Sequence, residues 1–354
     1  MAYIAQQPKP LLFKPDLDDA ARRWDAYFAG ELIDRPVVCV TAPREGKSGA
    51  PGSNYRDRAC GDLESVIQHA LINAEATFYG GEAIPYFWTS FGPDEVAVFC
   101  GAELGWSDDS GDTNWSKPFV EDWAAALPLR LQEDHPFWQR MLAFYRRAAE
   151  LVDGKMYLAT LDLHTNMDLL AAVRGSQRLC EDLLDEPEMI DRAMESARAV
   201  FPALWEATNQ AGRMAEWGYI GPAATLQCDF SCMISPPMFR RWVLPALEEE
   251  AAIVGRAVYH WDGPGALVHT EDLLTSAGLH TLSYVPGDGH GSHLDHLELL
   301  KRVQAGGKAV QVWGPPEQMQ ALHRELRPEK TMYCTSCASQ AEAEALLEWF
   351  VQHT

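Results

Sequence analysis

The segment Tyr259-His260-Trp261-Asp262-Gly263-Pro264-Gly265 holds the most concentrated chemical potential in the chain. His260 and Asp262 are two residues apart, so on a strand they share one face. The glycines that follow allow a sharp turn into a helix. An imidazole and a carboxylate so placed can bind a metal, exchange a proton, or simply stiffen a loop by pairing. The second segment is Tyr333-Cys334-Thr335-Ser336-Cys337, where a CxxC pair offers thiolates but only two of the four ligands that structural zinc normally takes. Cys228-Asp229 and Asp162-Leu163-His164 repeat the theme of acid beside thiol or imidazole. Pro286-Gly287-Asp288-Gly289-His290-Gly291 is a glycine-rich loop able to cradle an anion, without the spacing of a phosphate or dinucleotide loop. Its Asp288 and His290 are candidate substrate contacts, as are Arg44 and Trp88. His290, His293 and His296 share a three-residue spacing that suits a solvated helix start.

These residues fall at the ends of short apolar runs. Eight such runs alternate with helical patterns: 37–40, 83–88, 156–160, 224–228, 257–260, 279–285, 309–313 and 332–334. Alternation of this kind signals βαβ units and a parallel sheet. Eight units predict one α/β domain over residues 1–354, a (β/α)₈ TIM barrel, with a doubly wound open sheet as the competitor. In a barrel the polar residues at strand C-termini face the active-site mouth. Helices are expected over about 178–212, from Ser235 with Pro236 at the first turn, and from Ser339 with Glu342 completing a capping box. Residues 1–30 read as an N-terminal helical extension. Residues 92–135, rich in Trp, Asp, Gly and Ser (Trp106-Ser107-Asp108-Asp109-Ser110-Gly111-Asp112), read as an insertion after strand two, a hairpin and loop covering the mouth.

The net charge of −22 argues against nucleic acid and anionic membranes as partners. No run of about 18 apolar residues suggests a membrane span, and the N-terminus lacks a secretory pattern, so a cytoplasmic location is expected. Eight cysteines in 354 residues do not make a disulfide scaffold. Cys39, Cys100 and Cys180 sit in apolar runs and read as reduced core thiols.

Four motifs together resemble the uroporphyrinogen decarboxylase superfamily. They are Asp168-Leu169-Leu170-Ala171-Ala172-Val173-Arg174-Gly175; Ile234-Ser235-Pro236-Pro237-Met238-Phe239 with Leu244-Pro245; Tyr259-His260-Trp261-Asp262-Gly263; and Cys337-Ala338-Ser339 leading into Glu342. That superfamily contains porphyrinogen decarboxylases and zinc-dependent methyltransferases acting on corrinoid proteins, all (β/α)₈ barrels. The methyltransferase branch implies zinc held by His-x-Cys on one strand and a Cys at the end of the last. His260 matches the first ligand, Asp262 stands in place of the Cys, Cys334 or Cys337 matches the last, and Cys228 is a further thiolate within reach. Asp262 would then be a ligand or would orient His260. On this reading zinc activates a substrate thiol, which takes a methyl group from a corrinoid on a partner protein. The decarboxylase branch implies a metal-independent lyase: Arg44, in the loop Thr41-Ala42-Pro43-Arg44-Glu45-Gly46-Lys47, would bind a carboxylate while Asp162, Asp229 or His260 moves the proton, with His164 beside them. A third reading is a corrinoid- or tetrapyrrole-binding protein without chemistry, its twelve tryptophans lining a broad ligand surface.

Overall fold

Each of the eight apolar runs contains a strand in a computed structural model of the chain, which describes residues 8–107, 109 and 111–354. Eleven strands are present among the described residues: β1 Val37–Pro43, β2 Thr77–Gly81, β3 Tyr86–Phe87, β4 Glu103–Trp106, β5 Asn114–Lys117, β6 Tyr157–Leu158, β7 Ala224–Gln227, β8 Ala257–Asp262, β9 Thr281–Val285, β10 Ala309–Trp313 and β11 Thr331–Ser336. Seven form one sheet in the order β2-β1-β11-β10-β9-β8-β7, parallel throughout except for β2, which runs antiparallel to β1 at the edge. β3 and β6 form a separate parallel pair. Among the described residues no ladder joins this pair to β1 or β7, so the hydrogen-bonded sheet does not close into the continuous barrel the sequence predicts. The arrangement is α/β, mostly parallel, and compatible with a barrel-like fold.

Alternation along the strands explains both the core and the cavity. Val38, Val40, Tyr259, Trp261 and Tyr333 are buried against the surrounding layer, while their neighbours Cys39, Thr41, His260, Asp262 and Cys334 retain solvent contact. Period-two alternation puts the two sets on opposite faces. The protected face packs against helices such as Pro136–Val152, Pro187–Ala211, Leu244–Val254 and Gln340–His353, whose apolar stripes complete the core. Ser339 caps the last of these, accepting from the Glu342 N–H at 3.2 Å. Glu342 reaches back to the Ala338 N–H at 3.0 Å. In helix Leu244–Val254, Pro245 has no N–H for the preceding turn, and a π-helical stretch Phe239–Val243 leads in.

The expected N-terminal helix is Leu17–Ala29. It plugs one end of the strand array: Trp24 Nε1 donates to the Glu82 carbonyl at 3.1 Å, and the Tyr27 hydroxyl meets Thr281 Oγ1 at 2.9 Å. The ladder is also missing between β1 and β3, and there a buried ion pair crosses the gap. Both terminal guanidinium nitrogens of Arg35 donate to Glu82, at 2.5 Å to Oε2 and 2.9 Å to Oε1, and Oε2 also accepts from the Val38 N–H at 2.9 Å. The expected hairpin in 92–135 is β4–β5, followed by segments that donate from Phe119 and Val120 N–H to the Val173 carbonyl. Asp108 and Ser110, in the predicted loop, lie outside the described residues.

Truncating one member of a buried ion pair strands the other charge. Arg35→Ala should therefore lower unfolding free energy by about 3–5 kcal/mol, read from urea denaturation. The Arg35→Met/Glu82→Leu double variant should recover part of that loss. Equal destabilisation by both would show that packing, not charge pairing, is what Arg35 supplies.

Candidate active site

The chemistry-bearing residues gather where β6, β7 and β8 end. After β6 the chain runs through Asp162 and His164 into helix Asn166–Arg174. His164 stands between two carboxylates, with Nε2 3.5 Å from Asp162 Oδ1 and Nδ1 3.4 Å from Asp168 Oδ2. Asp168 in turn accepts the backbone N–H groups of Asp229 (2.9 Å) and Phe230 (2.8 Å), fixing the turn after β7. From β8, His260 Nε2 lies 3.8 Å from Asp229 Oδ1 and 3.8 Å from Asp262 Oδ1. The shared face predicted for His260 and Asp262 is thus present. Asp229 Oδ1 is sealed from solvent without a hydrogen-bond partner, while the rest of that carboxylate is exposed.

Two buried glutamates hold this constellation. Glu95 accepts from the N–H groups of Phe91 (2.7 Å) and Asp162 (3.1 Å). Glu250 accepts from Thr165 Oγ1 at 2.7 Å and from Asn166 Nδ2 at 3.3 Å. Asn166 adopts a left-handed backbone (φ 49°), and its Nδ2 also donates to the Gln227 carbonyl at 3.0 Å. Asn tolerates that conformation better than most residues. Gln227 Nε2 completes the circuit to Asp162 Oδ1 at 2.6 Å.

The environments separate the proton affinities. Burial opposes charge on His164, but contact with Asp168 and the fields of Asp162 and Asp229 outweigh it and raise the imidazole to about 10. Burial, reinforced by the Asp168 charge, raises Asp229 to about 7. Burial lowers His260, with Asp262 only partly opposing. Near neutrality the site therefore presents a cationic imidazole, a neutral imidazole and a carboxyl poised to gain or lose a proton, the pattern that marks acid–base assignments.

Two cavities are present, and only the second borders the cluster. One, of about 380 Å³, lies among the strands and is lined by Trp24, Cys39, Tyr86, Trp88, Gln311 and Cys334, among others. The other, of about 470 Å³, is bordered by Asp94, Ser116, His164, Asp168, Asp229 and Cys232. Among the described residues no lysine or arginine lines either one.

The remaining predicted residues sort by strand alternation. Trp88 does line the first cavity, 52% exposed. Cys228 does not reach the mouth: Gln227 takes the inward position, so Cys228 is 1% exposed in the core and burial pushes its thiol up. Cys334 faces the cavity, whereas Cys337 follows the strand, is buried, and donates its N–H to the Thr41 carbonyl at 2.8 Å. Cys39, expected in the core, lines the cavity; Cys100 is buried and Cys180 half-buried. Arg44 is spent on the β2 edge, donating to the Thr77 carbonyl at 3.2 Å, and lines neither cavity. Asp288 and His290 lie exposed on their glycine loop, away from both cavities. His290, His293 and His296 form no common face: His293 is buried between the Tyr284 and Trp313 carbonyls.

The imidazole and thiol donors expected to hold zinc are thus segregated. His260 meets carboxylates, Cys334 meets Cys39, and Cys228 and Cys337 are buried apart. Among the described residues no three His, Cys, Asp or Glu side chains stand close enough together to hold a metal ion. The donor set does not fit the expected zinc centre.

Asp168, Glu95 and Glu250 were missed as functional residues. The His164–Asp168 spacing of four on a helix start was a usable signal. Glu95 and Glu250 carried none, because a lone glutamate in a helix ordinarily faces water.

The overall fold is one already seen in an enzyme. A solved methyltransferase from Methanosarcina mazei superposes on the chain with a TM-score of 0.60, at 15% identity, over 94% of this chain and 98% of that one. No protein-family model matches the sequence, and no curated protein matches it. At this identity the likeness establishes the fold and leaves the chemistry to the site.

Burial raises Glu250 to about 8, with Asp168 and Glu249 adding to the shift and Thr165 and Asn166 opposing it. A carboxyl whose folded pKa exceeds its unfolded value stabilises most at low pH, and that stability is lost as pH rises to the folded pKa. His164, raised by its carboxylates, adds loss in the same direction up to about 10. The melting temperature should therefore fall between pH 6.5 and 9. Glu250→Gln should flatten that fall by roughly 1–2 °C, about 1 kcal/mol in a protein of this size. An identical slope in the variant would show that Glu250 is ionised in the fold.

Proposed function

We propose that this protein is a barrel-type enzyme that works by metal-independent proton transfer at His164, Asp229 and His260, in the manner of a carboxy-lyase acting on a small substrate. The observation that carries the reading is the set of three titratable groups with separated proton affinities at the ends of three strands, His164 3.4–3.5 Å from Asp168 and Asp162 and His260 3.8 Å from both Asp229 and Asp262. His164, as imidazolium, pairs with one carboxylate or developing enolate oxygen, since a fixed charge aimed at growing charge is the strongest catalytic contribution. Asp229, with a proton affinity near neutrality, delivers the proton to the carbon that loses CO₂. His260, neutral, takes a proton from water and passes it to the Asp229 carboxylate, which resets the acid. Among the described residues lining the two cavities, His164 is the one cationic side chain. A substrate with one acidic group suits the site better than a polycarboxylate, and Arg44 takes no part.

The second reading is methyl transfer, favoured by the fold shared with the Methanosarcina mazei enzyme over nearly the whole chain. In its zinc- and corrinoid-dependent form it requires His260 and a strand-end cysteine to converge. A closed (β/α)₈ barrel, formed when β3 and β6 draw against β1 and β7, is part of either proposal.

Two measurements decide between them. Protein purified without added metal or an affinity tag should contain no stoichiometric zinc. Zinc that is present and lost in His260→Ala would reinstate the methyltransferase reading. In ¹⁵N spectra of the histidine side chains, one imidazolium should persist at pH 8 and disappear in His164→Gln. If every histidine is neutral at pH 8, the proton-transfer assignment fails. With a turned-over substrate in hand, Asp229→Asn should cost about 10²–10⁴ in kcat, with KM little changed.

A further inference from the structure

Cys39 and Cys334 are direct register partners on the adjacent parallel strands β1 and β11. Both line the cavity inside the strands and retain solvent contact there. Neighbouring strands lie about 4.7–4.9 Å apart, inside the Cα separation of about 4.4–6.8 Å that a disulfide accepts. Gln311, from β10, donates Nε2–H to the Cys334 sulfur at 3.4 Å. That bond favours the thiolate on one member of the pair and leaves the other as its hydrogen-bonding thiol. Contact with Cys39 and Gln311 lowers the Cys334 pKa, while the same contact and burial raise that of Cys39. The acid–base cluster makes no use of either residue.

We propose that Cys39 and Cys334 are a reversible dithiol–disulfide site in the cavity wall, oxidised by exchange with a small-molecule disulfide. The Cys334 thiolate attacks one sulfur of R–S–S–R. The S–S bond breaks and RS⁻ leaves, taking a proton to become RSH. Cys39 gives up its proton and attacks the Cys334 sulfur of the mixed disulfide, expelling the second RS⁻. Two cysteine thiols are oxidised and one external disulfide is reduced to two thiols. The strands are already laddered, so the bond forms without moving the fold. Its effect is local: the cavity loses a thiolate, and Gln311 loses its acceptor.

The test uses the reduced full chain incubated with oxidised glutathione, then alkylated and digested without reduction for peptide mass mapping. The expected product is a Cys39–Cys334 cross-linked peptide that dithiothreitol removes. In Cys39→Ser, with circular dichroism confirming the fold, glutathione should remain trapped on Cys334. In Cys334→Ser, Cys39 should stay unmodified. The proposal is overturned if the wild-type chain keeps glutathione on Cys334 without the cross-link. It is equally overturned if Cys334 and Cys39 stay free while the exposed Cys60 and Cys232 react, or if Cys334 bonds another cysteine.

Discussion

Between β6 and β7 the backbone ladder stops, and polar side chains carry the connection. Gln227 reaches Asp162, Asn166 reaches the Gln227 carbonyl, and Asp168 receives the N–H groups of Asp229 and Phe230. A run of backbone groups left without a ladder has to be satisfied some other way, because an unpaired buried N–H or C=O costs as much as a lost hydrogen bond. The side chains that satisfy it are charged or strongly polar. The seam of the sheet and the site are therefore one network, and loosening either loosens both.

The same network sets the electrostatics. Carboxyls gathered along the seam crowd together, and burial, reinforced by the charge of Asp168 or Asp162, pushes Asp229, Glu95 and Glu250 upward. His164 relieves the crowding at Asp229, and contact with Asp168 and the charges of Asp162 and Asp229 hold it cationic. Structure and reactivity share a cause here: a seam built from acids needs an internal cation, and an internal cation beside a cavity is a catalytic device. At the β1–β3 gap the solution is different. Arg35 pairs with Glu82 through two hydrogen bonds, and Arg23 stands 3.6 Å from the same carboxylate.

Strand alternation separates two chemistries that the sequence places side by side. On β8 the inward positions carry His260 and Asp262; on β1 and β11 they carry Cys39 and Cys334. Imidazoles and carboxylates collect on one side of the strand array and thiols on the other. A hard acid–base centre and a soft thiol pair can then occupy one molecule without competing for one ion.

The sequence alone determined the eight strand-forming runs, the N-terminal helix, the hairpin in 92–135, the cap at Ser339 and the common face of His260 and Asp262. Each depends on local periodicity or turn chemistry, which a chain carries wherever it folds. Tertiary structure alone decided the rest. Cys228 and Gln227 differ by one position, and a one-residue register reverses which side chain points inward to Asp162. β2 escaped notice because Thr77-Phe78-Tyr79-Gly80-Gly81 is a strand only through its antiparallel pairing with β1. Arg44 has the chemistry of a carboxylate ligand but is consumed by a backbone carbonyl next to it in space. Glu95 and Glu250 become buried carboxyls only once distant loops close over them. The pairing of Cys39 with Cys334 links residues near opposite ends of the chain, and only the alignment of the first strand beside the last brings them together.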